Sequence, residues 1–277
     1  MTDLVRAAIV YDFDGTLSPG AMQQHTLIPE LGFTDPGIFW EKVKVDNRSV
    51  DGDEILSYMF SLLQHSATGL KREHFAQHGQ ELPLFSGLPQ WFINMNEFAE
   101  SQYIELEHYV VSSGLEEMIA ASPLAIYFKH IFASKYRYGS DGYAVWPAAS
   151  INYTTKTQYL FRINKGVLNY WDDGAVNRWV PMDERPIPFE NMIFIGDGDT
   201  DIPAMKMIRY QGGCAIAVFD PAQFTSAGQR KMYDLIAEDR SNYVCPADYS
   251  TNSQLDVVVR GVLGRIARSN GFRPTAI

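Results

Sequence analysis

The stretch AAIVYDFDGTLS, residues 7–18, constrains this chain more than any other. A short, unbroken apolar run is the pattern of a strand covered on both faces. It ends in Asp12 and Asp14, one residue apart. Carboxylates are seldom buried without a partner, and two so close repel each other. A strand that ends this way calls for a positive partner at its carboxyl end.

Runs of the same kind recur as RAAIVY (6–11), HYVVSS (108–113), KHIFAS (129–134), NMIFIG (191–196) and CAIAVF (214–219), with SNYVCP (241–246) as one more at an edge. Helical patterns at 114–123, 155–164 and 200–210 alternate with them, and 253–269 repeats apolar positions at helical spacing. Buried strands alternating with helices predict an α/β fold built on an open parallel sheet. Two regions break the rhythm. Residues 19–105 hold amphipathic helical segments and no buried strand, and read as a helical insert between the first and second strands. Residues 135–146 flank GSDG with aromatics, a hairpin signal. The stretch 165–190 reads as a surface excursion.

Composition narrows the function classes. With 277 residues and 46% apolar side chains, the chain has ample core for one large domain or two smaller ones. Lys and Arg total 23 against 33 acids, a net charge of −10. That balance argues against a nucleic-acid groove, which needs clustered cations. The two cysteines, Cys214 and Cys245, lack disulfide or metal-ligand arrangement and read as core residues. No signal-peptide pattern and no membrane-spanning apolar stretch is evident, so a soluble cytoplasmic protein is expected.

In open α/β sheets ligands bind beyond the carboxyl ends of the strands. Asp12 and Asp14 lie at the first such end, and Ser112, Ser113 and Gly114 at the second. The fourth carries GDGDTD (196–201), with Asp197 and Asp201, and Lys156 starts a helix between them. Each feature is weak alone. Their occurrence in this order, each at a strand-to-helix boundary, is specific.

These motifs resemble those of the haloacid dehalogenase (HAD) superfamily of phosphohydrolases. DFDGT matches the first, YVVSS the second, Lys156 the third and GDGDTD the fourth, over residues 7–206. The resemblance implies a Rossmann-like core from residues 1–18 and 106–277, with 19–105 as a helical C1-type cap. The phosphoserine-phosphatase-like branch is nearest in arrangement. Asp12 is then the nucleophile and Asp14 the acid and base. Mg²⁺ is held by Asp12, the backbone carbonyl of Asp14 and Asp197, with Asp201 in direct or indirect contact. Ser112 binds a phosphoryl oxygen with Ser113 N–H, Ser113 competing for the hydroxyl role, and Gly114 permits the turn. Lys156 neutralises charge.

Plainer readings stand beside these. Asp197 and Asp201 have the composition of helix N-caps, as does Asp199. Lys165, a rival to Lys156, reads as a solvated charge. The aromatics Trp91, Phe92 and Phe98 read as cap core rather than a substrate platform. A phosphomonoester hydrolase of a small phosphorylated metabolite is the expected activity. A sugar phosphomutase with the same motifs and a non-catalytic binding protein are the alternatives. A phosphoserine-specific chain of this branch carries a glutamate where Ala21 stands. Met22, Gln23 and Gln24 are candidates for the entrance. The cap cations Arg48, Lys71 and Arg72 are candidate readers of a carboxylate, against the plainer reading of surface charge. No feature assigns an oligomeric state.

Overall fold

A computed structural model describes residues 4–198, 200–223 and 225–272. Its strands are β1 (Val5–Tyr11), β2 (Ile104–Leu115), β3 (His130–Tyr138), β4 (Ala144–Ala149), β5 (Met192–Gly196), β6 (Cys214–Phe219) and β7 (Tyr243–Pro246). They form one sheet in the order β4-β3-β2-β1-β5-β6-β7. All neighbours pair in parallel except β3 and β4, which form the antiparallel hairpin expected from GSDG. The chain builds outward from β1 through β2 and β3, then returns to β5 on the other side. The order therefore reverses beside β1, and the carboxyl ends of β2, β1 and β5 enclose the crevice.

Alternation along β1 shows why the strand is apolar throughout. Side chains of successive residues point to opposite faces. Ala7, Ile9 and Tyr11 join one buried cluster, and Ala8 and Val10 join the other. The first cluster packs α5 (Gln90–Ser101), α6 (Glu116–Ala121) and α11 (Gln254–Ser269) on the sheet. The second packs α7 (Lys156–Lys165), α9 (Ile202–Tyr210) and α10 (Ser226–Ala237) on the opposite side. The α/β class and the helical insert expected from the sequence are what the chain forms.

The insert contains α1 (Leu27–Glu30), α2 (Pro36–Ser49), α3 (Glu54–His65), α4 (Arg72–Gln80) and then α5. Aspartates start α2 and α3. Asp35 accepts from Gly37 N–H ahead of α2, and Asp53 accepts from the N–H groups of Ile55 and Leu56 ahead of α3. Trp91 and Phe92 of α5 pack on the sheet. Trp91 Nε1 donates to Tyr11 Oη at 2.8 Å, and Phe92 meets the Tyr11 and His108 rings. Tyr11 Oη and His108 Nδ1 lie 3.0 Å apart, and His108 Nε2 lies 3.0 Å from Asn96 Oδ1. Burial pushes His108 down to about 3, so the imidazole is neutral and fixes the residue just before Asp12. Lys71 and Arg72 lie over the Tyr143 and Tyr138 rings of the hairpin. Neither is among the residues lining the strand-end cavity.

The stretch 165–190, which contains α8 (Asp173–Asn177), is more anchored than its composition implies. Lys165 Nζ donates to the carbonyls of Val176 and Arg178 at 2.7 and 2.8 Å, rather than standing as a solvated charge. Trp171 and Trp179 are exposed, whereas Tyr170 packs on Phe132. Cys214 and Cys245 are buried and unpaired. No helix among the described residues is long and apolar enough to cross a membrane.

Candidate active site

Asp12 directly follows β1, and its N–H donates to Ile195 O at 2.9 Å, carrying the ladder with β5 one residue further. Its carboxylate is held at both oxygens. Oδ1 accepts from Phe13 N–H at 2.7 Å and Oδ2 from Lys156 Nζ at 2.8 Å. Asp14 turns differently: its Oδ1 accepts from Met22 N–H at 2.8 Å. Gly15 follows with φ +69°, and a Cβ there would stand 2.9 Å from Asp197 Oδ2. Only glycine lets this turn approach the Asp197 loop so closely.

Lys156 starts α7 and is fully buried. Its ammonium donates to Asp12, to Asp201 Oδ1 at 2.7 Å and to Thr200 Oγ1 at 3.1 Å, which uses all three donors. Asp201 precedes α9, yet its side chain makes no capping bond to that helix. It points at Lys156 instead, against the plainer N-cap reading. Gly196 makes room for it, since a Cβ there would meet Asp201 Oδ2 at 2.2 Å. Asp199 lies outside the described residues.

One carboxylate oxygen each from Asp12, Asp197 and Asp201 lie within 4.8 Å of one another. A cluster of hard anionic oxygens suits Mg²⁺ in ligand type. The Asp14 side chain is not part of this group. Burial, then the charge of Asp12, pushes Asp14 up to about 8, with Met22 N–H and Lys156 acting in the other direction. Burial and Asp12 likewise push Asp201 up. Burial opposes the charge on Lys156, but Asp12 and Asp201 outweigh it and hold the ammonium charged.

Across the crevice, β2 pairs with β3 through Ser112↔Ala133 and resumes at Leu115↔Ser134. Ser113 and Gly114 thus form a bulge with no opposite number on β3. Such bulges re-aim backbone groups beside active sites. Gly114 N–H donates to Ser112 Oγ at 3.1 Å. Ser113 Oγ is buried without a hydrogen-bond partner among the described residues. Asp12, Asp14, Ser112, Ser113 and Asp197 line a cavity of about 280 Å³ together with Gly15, Gly20, Ala21 and Thr200. A larger cleft, about 630 Å³, opens beside Glu190, Gly212 and Arg265 and contains none of these acids.

The strand-end residues singled out from the sequence therefore share one crevice. Three neighbours were not anticipated. Thr200 sits inside the motif already noted. Lys231 of α10 brings its ammonium to 3.8 Å from Asp197 Oδ2. Tyr58 of α3 donates to Ser113 O at 2.7 Å. For Lys231 and Tyr58 no local pattern signals the contact.

No protein-family model matches the chain. Solved structures cover nearly all of it. A substrate-bound phosphoserine phosphatase complex is 15% identical, with a TM-score of 0.55 over 92% of this chain and 98% of that one. The chain has the HAD fold. A HAD family hydrolase from Salmonella enterica serovar Typhi aligns with a TM-score of 0.56 at 13% identity, over 94% of this chain and 72% of that one. Cytosolic 5'-nucleotidase IIIB bound to cytidine aligns at 0.53 and 15%, over 96% and 87%. An uncharacterized protein of Borreliella burgdorferi is 29% identical over 229 residues, covering 73% of this chain and 78% of its own length. The acids of the crevice occupy the strand ends of a HAD core.

Proposed function

We propose that the chain is a Mg²⁺-dependent phosphomonoester hydrolase acting on a small phosphorylated metabolite. The observation that carries this reading is the oriented Asp12 carboxylate, which clusters with the fully buried Lys156 and Asp201 and lines one cavity together with Asp197. Asp12, Asp197 and the carbonyl of Asp14 are the proposed metal ligands, with Asp201 supporting them. Mg²⁺, when bound, neutralises phosphoryl oxygens that would otherwise repel a carboxylate.

In the first step an Asp12 oxygen attacks phosphorus, the bond to the ester oxygen breaks, and that oxygen leaves with the electron pair. Asp14 in its protonated form, which burial and the charge of Asp12 favour, gives its proton to the leaving oxygen. The product is an aspartyl-phosphate, which divides one hard displacement into two easier ones. Water then attacks this phosphorus, Asp14 takes the water's proton, and Asp12 is restored as phosphate departs. Ser112 Oγ and the Ser113 N–H bind phosphoryl oxygens, and Lys156 stabilises charge that grows in the transition state. The part of the insert that precedes α5, with helices α1 to α4, serves as the cap that excludes water and sets specificity.

A screen over phosphorylated amino acids, sugars, nucleotides and alcohols, with and without Mg²⁺, tests the proposal. Steady phosphate release that needs Mg²⁺ and no bisphosphate activator is expected. Isomerisation of a sugar phosphate without phosphate release would favour a mutase, and no turnover would favour a binding protein.

A further inference from the structure

We infer that Tyr58, carried by helix α3 of the insert, is a positioning residue for the phosphoryl-binding loop at Ser112–Gly114. The inference rests on the phosphatase reading above and adds a residue to it. Its basis is the bulge in β2. Because Ser113 and Gly114 have no opposite number on β3, the sheet gives the Ser113 carbonyl no partner in register there. A buried carbonyl without a partner is costly. Tyr58 Oη donates to it at 2.7 Å, from a side chain that is 3% exposed.

The peptide plane converts that bond into an orientation. In a trans peptide the C=O and the following N–H point in opposite directions. Holding Ser113 O toward α3 therefore turns Gly114 N–H the other way, where it meets Ser112 Oγ at 3.1 Å. With its oxygen accepting from Gly114, the Ser112 hydroxyl keeps its own proton for a phosphoryl oxygen. Tyr58 touches none of the reacting atoms. Its hydroxyl also meets the side chains of Ser134 and Gln23, and it acts on the loop through the bond to the Ser113 carbonyl.

Other contacts fix α3 without touching the loop. Tyr136 Oη donates to Met59 O at 2.6 Å, and Asn152 Nδ2 donates to Asp53 Oδ2 at 2.6 Å. They provide the control. Inorganic phosphate and orthovanadate are suitable probes, because their binding can be measured by calorimetry with Mg²⁺ present and without turnover. Tyr58→Phe removes only the hydroxyl. It should weaken binding of both anions about five- to tenfold and raise KM more than it lowers kcat. Tyr136→Phe should lower Tm while leaving anion affinity unchanged. Tyr58→Phe binding both anions as tightly as wild type, or Tyr136→Phe weakening them equally, overturns the inference and leaves the phosphatase reading standing. A wild-type protein that neither binds the anions nor turns over any ester overturns both.

Discussion

Lys156 Nζ lies 2.8 Å from Asp12 Oδ2, with the lysine fully buried and the aspartate 3% exposed. The two residues are far apart in sequence: Asp12 follows β1 and Lys156 starts α7. Asp201 completes the cluster on the other side of the ammonium at 2.7 Å. Taking one partner from a buried ion pair leaves an uncompensated charge, at a cost of about 3–5 kcal/mol.

Lys156→Met should therefore fail on two counts. Loss of a preorganised donor should lower kcat about 10²- to 10³-fold. Without metal, the variant should also unfold at markedly lower denaturant than wild type. Steady-state kinetics and urea melts read the two effects separately.

The pH dependence of stability follows from Asp14. Burial first, then Asp12, raises its pKa in the folded chain from 3.8 to about 8. Between those values the folded state keeps a proton that the unfolded state has lost. Stability of the metal-free protein should thus fall as pH rises from about 4 to about 8. Asp14→Asn removes this contribution. Its Tm should exceed that of wild type at pH 8 and approach it near pH 4, while kcat drops about 10²- to 10⁴-fold. A Tm difference that does not change with pH would contradict the assignment.

Two glycines control the acid cluster. A Cβ at Gly15 would stand 2.9 Å from Asp197 Oδ2, and one at Gly196 would stand 2.2 Å from Asp201 Oδ2. Gly196→Ala must displace the Asp201 carboxylate. Calorimetric titration with Mg²⁺ should show affinity reduced at least tenfold for this variant and for Asp197→Asn. Unchanged affinity in both would remove these acids from the metal site.

The contact between Asn152 and Asp53 joins the loop ahead of α7 to the start of α3. Asp53 also caps that helix. Asn152→Ala should cost about 1–3 kcal/mol, since the hydrogen bond is to a charged group. Asp53→Ala should cost more, because the cap is lost as well. A double-mutant cycle in urea melts should give a coupling well above zero.

Much of this arrangement was legible in the chain. The central strands β1, β2, β5 and β6 were readable because they are covered on both faces, which demands unbroken apolar runs. Asp12, Asp197 and Lys156 were readable because a topology of this kind places strand and helix ends together. What could not be read depends on side chains that meet across long sequence separations. Tyr58 reaches Ser113 only because a bulge releases that carbonyl, and nothing in YVVSS marks a bulge. Asp201 has the sequence position of a helix cap, and only the arrival of Lys156 shows where it points. Lys71 and Arg72 are insert cations of the kind that read a carboxylate, but the hairpin aromatics hold them. Likewise Lys165 looked solvated because its carbonyl partners belong to an irregular segment without a local signature.

The central claim is that the Asp12 carboxylate takes the phosphoryl group. Asp14→Asn should slow the water step, so phosphorylated protein should accumulate when this variant meets p-nitrophenyl phosphate and Mg²⁺. Acid quenching, proteolysis and mass spectrometry should then find one phosphoryl adduct, on the peptide containing Asp12, and none in an Asp12→Asn protein. Phosphate release from wild type with no adduct at Asp12 in either protein would contradict the account.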